Sequence, residues 1–286
     1  MATFPQVDSR HYIFALELHS REDLPPDFTL PDKLGAFEMG LFLPRDDPDW
    51  FGRSSYPARA LLLSSDRLLI VAHPKANEPA TEIPLQDLQF AESGHILLIG
   101  WLRLAWGKSE RVLPYNTRAR RPFERFLRRM REKCLPSVTA VSDKAASHMG
   151  PPLDLKFGYA RSSEIDAGER VLVEFFSPAE KQNRRRWVFR FDHWSPADLV
   201  CVTDRRLLWI TDRHEGRCQR YGAVSRYAPL RNISELSCER TGNACRLRIA
   251  LRSGASWQVP APSAMHEQAA EFAEEGRRWL RIPTHD

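Results

Sequence analysis

The sequence predicts a mainly β chain in which one small module, a run of short strands closed by an amphipathic helix, is used twice. Three observations carry this. Leu61 to Ala72 aligns without gaps on Val200 to Thr211, so that Leu63-Ser64-Ser65-Asp66-Arg67-Leu68-Leu69-Ile70-Val71 lies over Val202-Thr203-Asp204-Arg205-Arg206-Leu207-Leu208-Trp209-Ile210. Pro84-Leu85-Gln86-Asp87-Leu88 then matches Pro229-Leu230-Arg231-Asn232-Ile233, and Val112-Leu113-Pro114 matches Gln258-Val259-Pro260. Each copy also ends in a helical stretch with one apolar face. Self-similarity on this scale is the mark of one module repeated.

In the first copy, Ala36 to Leu43, Ala58 to Ser64, Leu68 to Ala72, Leu88 to Glu92, Ile96 to Ile99, Leu102 to Trp106 and Arg111 to Leu113 read as strands. The closing helix begins near Thr117, with Pro122 tolerable in its first turn, where a missing N–H costs nothing. Phe123, Phe126, Leu127, Met130 and Cys134 recur every three or four residues and form its apolar face. Residues 1–30 have no counterpart in the second half and read as an extension. Pro136 to Pro152 holds Ser, Ala, Gly and Pro with little apolar content, the composition of a linker.

The second copy opens on the turn Asp166-Ala167-Gly168 and the strand Glu169 to Ser177, rich in branched and aromatic residues. A charged loop follows. Arg186 to Asp192 alternates, with Trp187, Phe189 and Phe191 on one face, as in a half-buried strand. Leu199 to Thr203 and Leu207 to Thr211 form the next pair. Leu247, Ile249 and Leu251 alternate with Arg246, Arg248 and Arg252, and Ser253-Gly254 turns the chain into Trp257-Gln258-Val259. The last helix takes Ser263 as its N-cap and places Met265, Ala269, Phe272, Gly276 and Trp279 on one stripe. Glu267 and Glu271 sit early and Arg277, Arg278 and Arg281 late, as the helix dipole favours.

Seven or so short strands and one helix, occurring twice, resemble the pleckstrin-homology-like superfold in its bacterial PH and GRAM-like form. The residues that carry the likeness are Val202-Thr203-Asp204-Arg205-Arg206-Leu207-Leu208-Trp209, the Pro229 to Ile233 segment and the terminal helix. In the first half they are Gly100-Trp101-Leu102-Arg103-Leu104-Ala105-Trp106-Gly107 and Leu113-Pro114-Tyr115-Asn116. The resemblance implies two partly open β-barrels in tandem, each stoppered by its C-terminal amphipathic helix. The expected division is an extension over 1–30, one domain over 31–135, a linker over 136–155 and a second domain over 156–286.

Composition sets the class. The chain has 286 residues, 42% hydrophobic and 28% charged, which is ordinary for globular protein and suits two domains by length. Its most apolar run, Ile96 to Leu102, is broken by Arg103 and falls far short of the ~20 residues that cross a bilayer. Met1 to Ser20 lacks a basic segment followed by an apolar one, so a cytoplasmic location is expected. Five cysteines without a C-x-x-C pair do not suggest a disulfide framework. His214 and Cys218 with Cys201 lack the second tight pair that structural zinc sites use, so no metal is expected.

The net charge of +5 is uneven. Arg118 to Lys133 alone carries eight basic residues against Glu124 and Glu132. With the apolar stripe packed inward, Arg121, Arg125, Arg128, Arg129 and Arg131 fall on the flanks and outer face, a receptor for phosphates or acidic protein. The same pattern also describes a solvated face whose arginine stems cover apolar surface. The loop Lys181-Gln182-Asn183-Arg184-Arg185-Arg186 is the second candidate. Lys181, Arg184 and Arg186 are similar in spacing to the basic signature of lipid-binding PH members, which implies an inositol-phospholipid headgroup. The equivalent acidic stretch Arg45-Asp46-Asp47-Pro48-Asp49 argues against a site shared by both copies.

No G-x-S-x-G, phosphate-cradling glycine loop, H-E-x-x-H or dinucleotide fingerprint occurs. The sequence therefore points to a non-enzymatic binding or scaffold module without catalytic residues or cofactor, whose expected partner is another protein. Peripheral attachment to anionic membrane through Arg121, Arg125, Arg128 and Arg129 is the alternative. Nucleic acid and a small-molecule substrate are not expected.

Overall fold

The computed structural model describes residues 15–28, 30, 36–45, 56–96, 99–117, 120–135, 147–186, 189–194, 196–214, 217–218, 222–241 and 244–280. The chain is mainly β. The first stretch holds β1 (Leu16–Leu18), β2 (Met39–Leu43), β3 (Arg59–Leu63), β4 (Arg67–Ala72) and β5 (Thr81–Pro84). A 3-10 turn, Leu85–Asp87, leads to β6 (Leu88–Ile96), β7 (Ile99–Trp106), β8 (Ser109–Asn116) and the helix α1 (Arg120–Cys134). Then come β9 (Ser147–Met149), α2 (Leu155–Glu164), β10 (Val171–Ser177), β11 (Lys181–Arg186) and β12 (Phe189–Trp194). They are followed by β13 (Asp198–Thr203), β14 (Arg206–Thr211), β15 (Arg213–His214), β16 (Arg217–Cys218) and β17 (Gly222–Pro229). A second 3-10 turn, Leu230–Asn232, precedes β18 (Ile233–Thr241), β19 (Ala244–Leu251), β20 (Ser256–Pro262) and α3 (His266–Leu280).

The internal repeat is visible in the ladder itself. In β3–β4, Leu61 pairs with Ile70, Leu62 with Leu69 and Leu63 with Leu68. In β13–β14 the aligned residues pair identically: Val200 with Trp209, Cys201 with Leu208, Val202 with Leu207. Even the entry to the following turn is conserved between halves, because Leu85 N donates to Asp66 O at 2.8 Å and Leu230 N to Arg205 O at 3.3 Å. Each proline before the turn fixes its own φ and donates nothing, so the strand stops there in both copies. Four strands, a 3-10 turn, three strands and a helix thus recur in the same order, as β2–β5 to α1 and as β10, β13, β14, β17 to α3.

Two compact units organise these elements. Unit 1 comprises Met1–Leu88, Leu98–Leu102 and Val112–Cys134. Its sheet runs β1-β2-β3-β4-β5, wholly antiparallel where registered. Leu18, Phe42, Ala60 and Leu62 are fully buried on one side, joined by Phe28, whose ring stands edge-on to Phe42 at 5.5 Å and 86°. The run Leu61-Leu62-Leu63 is buried on both faces, which is why β3 lacks the alternation of a half-wet strand. Phe123, Phe126, Leu127 and Met130 of α1 are buried, with Phe123 stacked on Tyr115 at 3.9 Å.

Unit 2 comprises Gln89–Leu97, Arg103–Arg111 and Leu135–Asp286. Within it β17 pairs antiparallel with β14 on one side and with β6 on the other, from Tyr227↔Ala91 to Gly222↔Ile96. The order is β6-β17-β14-β13-β10-β9, and β9 adds in parallel. A second sheet, β18-β19-β20, carries Leu236, Leu247, Ile249 and Val259 into a core shared with Val173, Phe175, Val202 and Leu207. Ala269, Phe272 and Ala273 of α3 close that core. Among the described residues every sheet is open and none closes into a barrel. None of the described helices is long and apolar enough to cross a membrane.

Several local expectations are corrected. Lys181 to Arg186 is a strand, β11, in register with β12 from Lys181↔Trp194 to Arg186↔Phe189. The segment reads as a loop because it lacks apolar residues, but a hairpin needs only ladder partners. The strand expected over Leu88 to Glu92 does not stop there. Instead β6 runs on through Gly94, which pairs with Val224, to Ile96, and residues 97 and 98 of the strand expected over Ile96 to Ile99 lie outside the described residues. Ser263 makes no side-chain cap and begins a 3-10 turn, with α3 starting at His266. Arg131 is buried at 4% exposure, not on the outer face of α1. The stretch with linker composition contains β9, and α2 was not foreseen. Asp154 caps α2, accepting from Phe157 N at 2.8 Å.

Candidate functional site

The arginines of α1 do stand outward: Arg121, Arg125, Arg128 and Arg129 are exposed. Carboxylates of the same unit answer several of them. Arg125 Nε donates to Glu17 Oε1. Arg129 splits its fork between Glu132 Oε2 at 2.8 Å and Glu38 Oε2 at 3.2 Å, and Lys133 Nζ reaches Glu38 Oε1 at 2.6 Å. Donating to Glu132 and then to Glu38 raises the Arg129 pKa, and accepting from Lys133 and then from Arg129 lowers that of Glu38. Local pairing therefore cancels part of the excess charge read from the sequence. Lys181, Arg184 and Arg186 lie along β11 in unit 2, and their side chains fall outside the described residues.

A different set of residues in unit 2 makes a concave site. Along one row of the sheet, Trp209 on β14 pairs with Arg226 on β17, and Arg226 pairs with Glu92 on β6. Side chains opposite one another in a ladder share a face, so the three lie side by side. The Arg226 guanidinium rests 4.4 Å over the Trp209 ring, a cation–π contact, and its Nε donates to Glu92 Oε2. Trp209 is held from the other end, because its Nε1 donates to Asp198 Oδ1 at 2.8 Å.

Trp257 of β20 packs beside Trp209. Its ring meets Trp209 at 6.1 Å and 44°, and stands edge-on to Phe90 at 5.6 Å and 84°. Arg103 on β7 and Glu110 on β8 complete the charged lining, with Arg103 Nε at 3.9 Å from Glu92 Oε1 and 3.3 Å from Glu110 Oε1. Ala255, Ser256 and Gln258 line the same groove, whose volume is about 460 Å³. The lining joins these charged side chains to three rings that are themselves buried in the core of unit 2.

Two buried polar clusters nearby have a structural character. Arg206 is fully buried and donates from Nε and Nη2 to Glu169 at 2.8 and 2.7 Å and from Nη2 to Glu164 O at 2.5 Å. Thr203 Oγ1 donates to the same Glu169 at 2.7 Å, so the charge is neutralised within the core, although Arg206 Nη1 meets no acceptor there. Glu174 is gripped by His148 Nδ1 at 2.9 Å and by Arg161 Nε at 2.8 Å. The neighbouring Cys201 thiol is pushed well up by burial and then by Glu174, so it stays protonated and is a poor nucleophile. No group of three described residues could hold a metal ion. The side chains of His214 and Cys218 lie outside the described residues.

No family model matches the chain, and no curated protein matches it. The groove was not legible in the sequence. Glu92 and Arg226 are far apart along the chain and meet only through the β6–β17 register, which no local pattern encodes. Trp209 is buried at 3% exposure, and its ring also lines the groove.

Proposed function

We propose that the protein is a non-catalytic binding module, two pleckstrin-homology-like units in tandem, which holds a segment of another protein in the groove of unit 2. The repeated order of strands and closing helix supports the fold reading. The partner reading rests on one observation, the concave site in which Arg103 and Arg226 are held in place by Glu92 and Glu110. Arginine side chains already fixed in a concave site are among the groups that dominate protein recognition, because little rotamer freedom is lost when a ligand arrives.

A random peptide library displayed on phage tests this with the full chain. Peptides enriched on the native protein are expected to lose binding to Ser256→Trp, a substitution of an exposed groove residue that fills the site without touching the core. Enriched peptides that bind both proteins equally would refute the assignment. Attachment to anionic membrane through Arg121, Arg125, Arg128 and Arg129 remains the rival. It is expected to show as vesicle binding that fades steeply with salt, and pairing with Glu17, Glu38 and Glu132 disfavours it.

A further inference from the structure

Unit 2 places two thiols on one face of a single hairpin. In the β18–β19 ladder Cys238 pairs with Leu247 and Arg240 with Cys245. Residues opposite one another share a face, as do residues two apart on a strand, so Cys238 and Cys245 are diagonal neighbours. Their face is the one turned to the core, where Leu236, Leu247 and Ile249 are fully buried. Cys245 is fully buried too, with its Sγ 3.6 Å from Ala261 O and 3.4 Å from Pro262 O. Cys238 is half-buried, so solvent reaches it, and both thiols are free. Burial pushes both up, Cys245 to about 11. The contact between them then acts in opposite directions, raising Cys245 and lowering Cys238, so Cys238 gives the first thiolate. Cys201, by contrast, faces Glu174 Oε2 at 3.9 Å.

We propose that Cys238 and Cys245 form a modification site, which peroxide closes into a reversible disulfide clasping β18 to β19. The Cys238 thiolate attacks one oxygen of hydrogen peroxide. The O–O bond breaks, Cys238 becomes a sulfenic acid, and the departing hydroxide takes up a proton to leave as water. The Cys245 sulfur gives its proton to water and attacks the Cys238 sulfur. The S–S bond forms, the S–O bond breaks, and the second hydroxide also leaves as water. Two thiols and one peroxide thus give one disulfide and two waters, each sulfur losing one electron and the peroxide gaining two. An accessible thiol poised next to a resolving one is the arrangement that oxidant-sensing cysteines need. Diagonal positions lie ~7–8 Å apart across a ladder, whereas the Cα atoms of a relaxed disulfide lie about 5.5–6 Å apart. The bridge therefore draws the strands together and stores strain, which makes it easy for another thiol to reopen. The last described pair, Thr241↔Ala244, adjoins Cys245, so only the end of the ladder has to give.

Trypsin separates the two thiols, leaving Cys238 in peptide 232–240 and Cys245 in peptide 241–246. The folded full chain is treated with hydrogen peroxide, its remaining thiols are blocked with N-ethylmaleimide, and the digest is mapped by mass spectrometry without reductant. The two peptides are expected to appear joined, lighter by two hydrogens than their sum, with loss of both free forms. Reduced glutathione added before blocking is expected to restore the free forms. Cys245→Ala is expected to abolish the joined pair and to leave Cys238 as a sulfenic acid that dimedone captures. Cys238→Ser is expected to leave the buried Cys245 as a thiol. Circular dichroism melts check that each variant folds, and the map of the native chain decides the proposal even where a variant melts early. Capture of Cys238 by dimedone in the native chain, with Cys245 still a thiol, overturns the proposal. A bridge from either thiol to Cys218, or joined peptides that form only in urea, overturns it equally. A joined pair that glutathione leaves intact refutes the reversible clasp.

Discussion

Trp209 carries two loads at the scale of a single residue. Its ring belongs to the core of unit 2 and is 3% exposed, and its N–H donates to Oδ1 of the fully buried Asp198. Trp209→Ala removes the ring and a hydrogen bond to a buried carboxylate, so a loss of ~3–5 kcal/mol is expected in urea unfolding. A loss below ~1 kcal/mol would mean that the ring is not part of the packing. Asp212 works in the opposite sense. Burial pushes its carboxyl pKa above the ordinary 3.8, outweighing Lys156 at 3.8 Å and the hydrogen bond it accepts from Ala197 N. The folded protein therefore binds a proton at this site more readily than the unfolded chain. Stability contributed by the protonated form is full below pH 3.8 and falls as pH rises through the folded value. Asp212→Asn is expected to be more stable than the native chain at neutral pH, with the advantage vanishing in acid. An advantage that grows instead as pH falls would contradict the burial argument.

Individual elements show which sequence signals hold and why. The stripe of α3 was legible because apolar residues every three or four positions have one physical solution, and Ala269, Phe272 and Gly276 are indeed buried. The same holds for α1, where each apolar residue named from the spacing is buried. The β3–β4 and β13–β14 hairpins were legible because continuous apolar runs of matched length leave little choice of register. By contrast α2 leaves Leu155 94% and Tyr159 72% exposed, so it offers no apolar stripe to read and depends on its Asp154 cap. Charged β11 was missed for a related reason, since ladder pairing there is not announced by hydrophobic alternation. Gly276 shows what helix packing demands beyond periodicity. An added Cβ would lie 2.5 Å from Leu236 Cδ2 and 3.4 Å from Val202 Cγ2, so α3 can approach the sheet only with glycine here. Glycine to alanine in a helix ordinarily stabilises by ~1 kcal/mol. Here overpacking against the fully buried Leu236 is expected to reverse that sign by ~1–3 kcal/mol. Thermal melts of Gly276→Ala check it, and a raised midpoint would show that Leu236 can turn aside without cost.

At the scale of the whole molecule, chain order and compact unit do not coincide. The strand β17 of unit 2 is flanked by β14, close to it in sequence, and by β6, which comes from the first half of the chain. Six residues of β17, Gly222 to Tyr227, take their partners from β6, and Phe90 and Ala105 contribute to the same core as Val200 and Phe272. A repeat in the sequence announces two similar modules, but it says nothing about which strand edges are left to pair, and the groove exists only because of that pairing. Residues 136–286 expressed alone would therefore expose an apolar sheet edge and lose Glu92 from Arg226 and Phe90 from Trp257. Aggregation or a broad, non-cooperative unfolding is expected. A substitution in the full chain isolates the cause. Gly94 pairs with Val224 inside the β6–β17 ladder, where proline cannot donate and fits poorly. Gly94→Pro should lower the melting temperature and raise amide exchange along Gly222 to Tyr227, while exchange in the β3–β4 hairpin of unit 1 is unchanged. Protection along β17 that survives this substitution would mean that β6 is dispensable, and that the second half of the chain carries its own complete sheet.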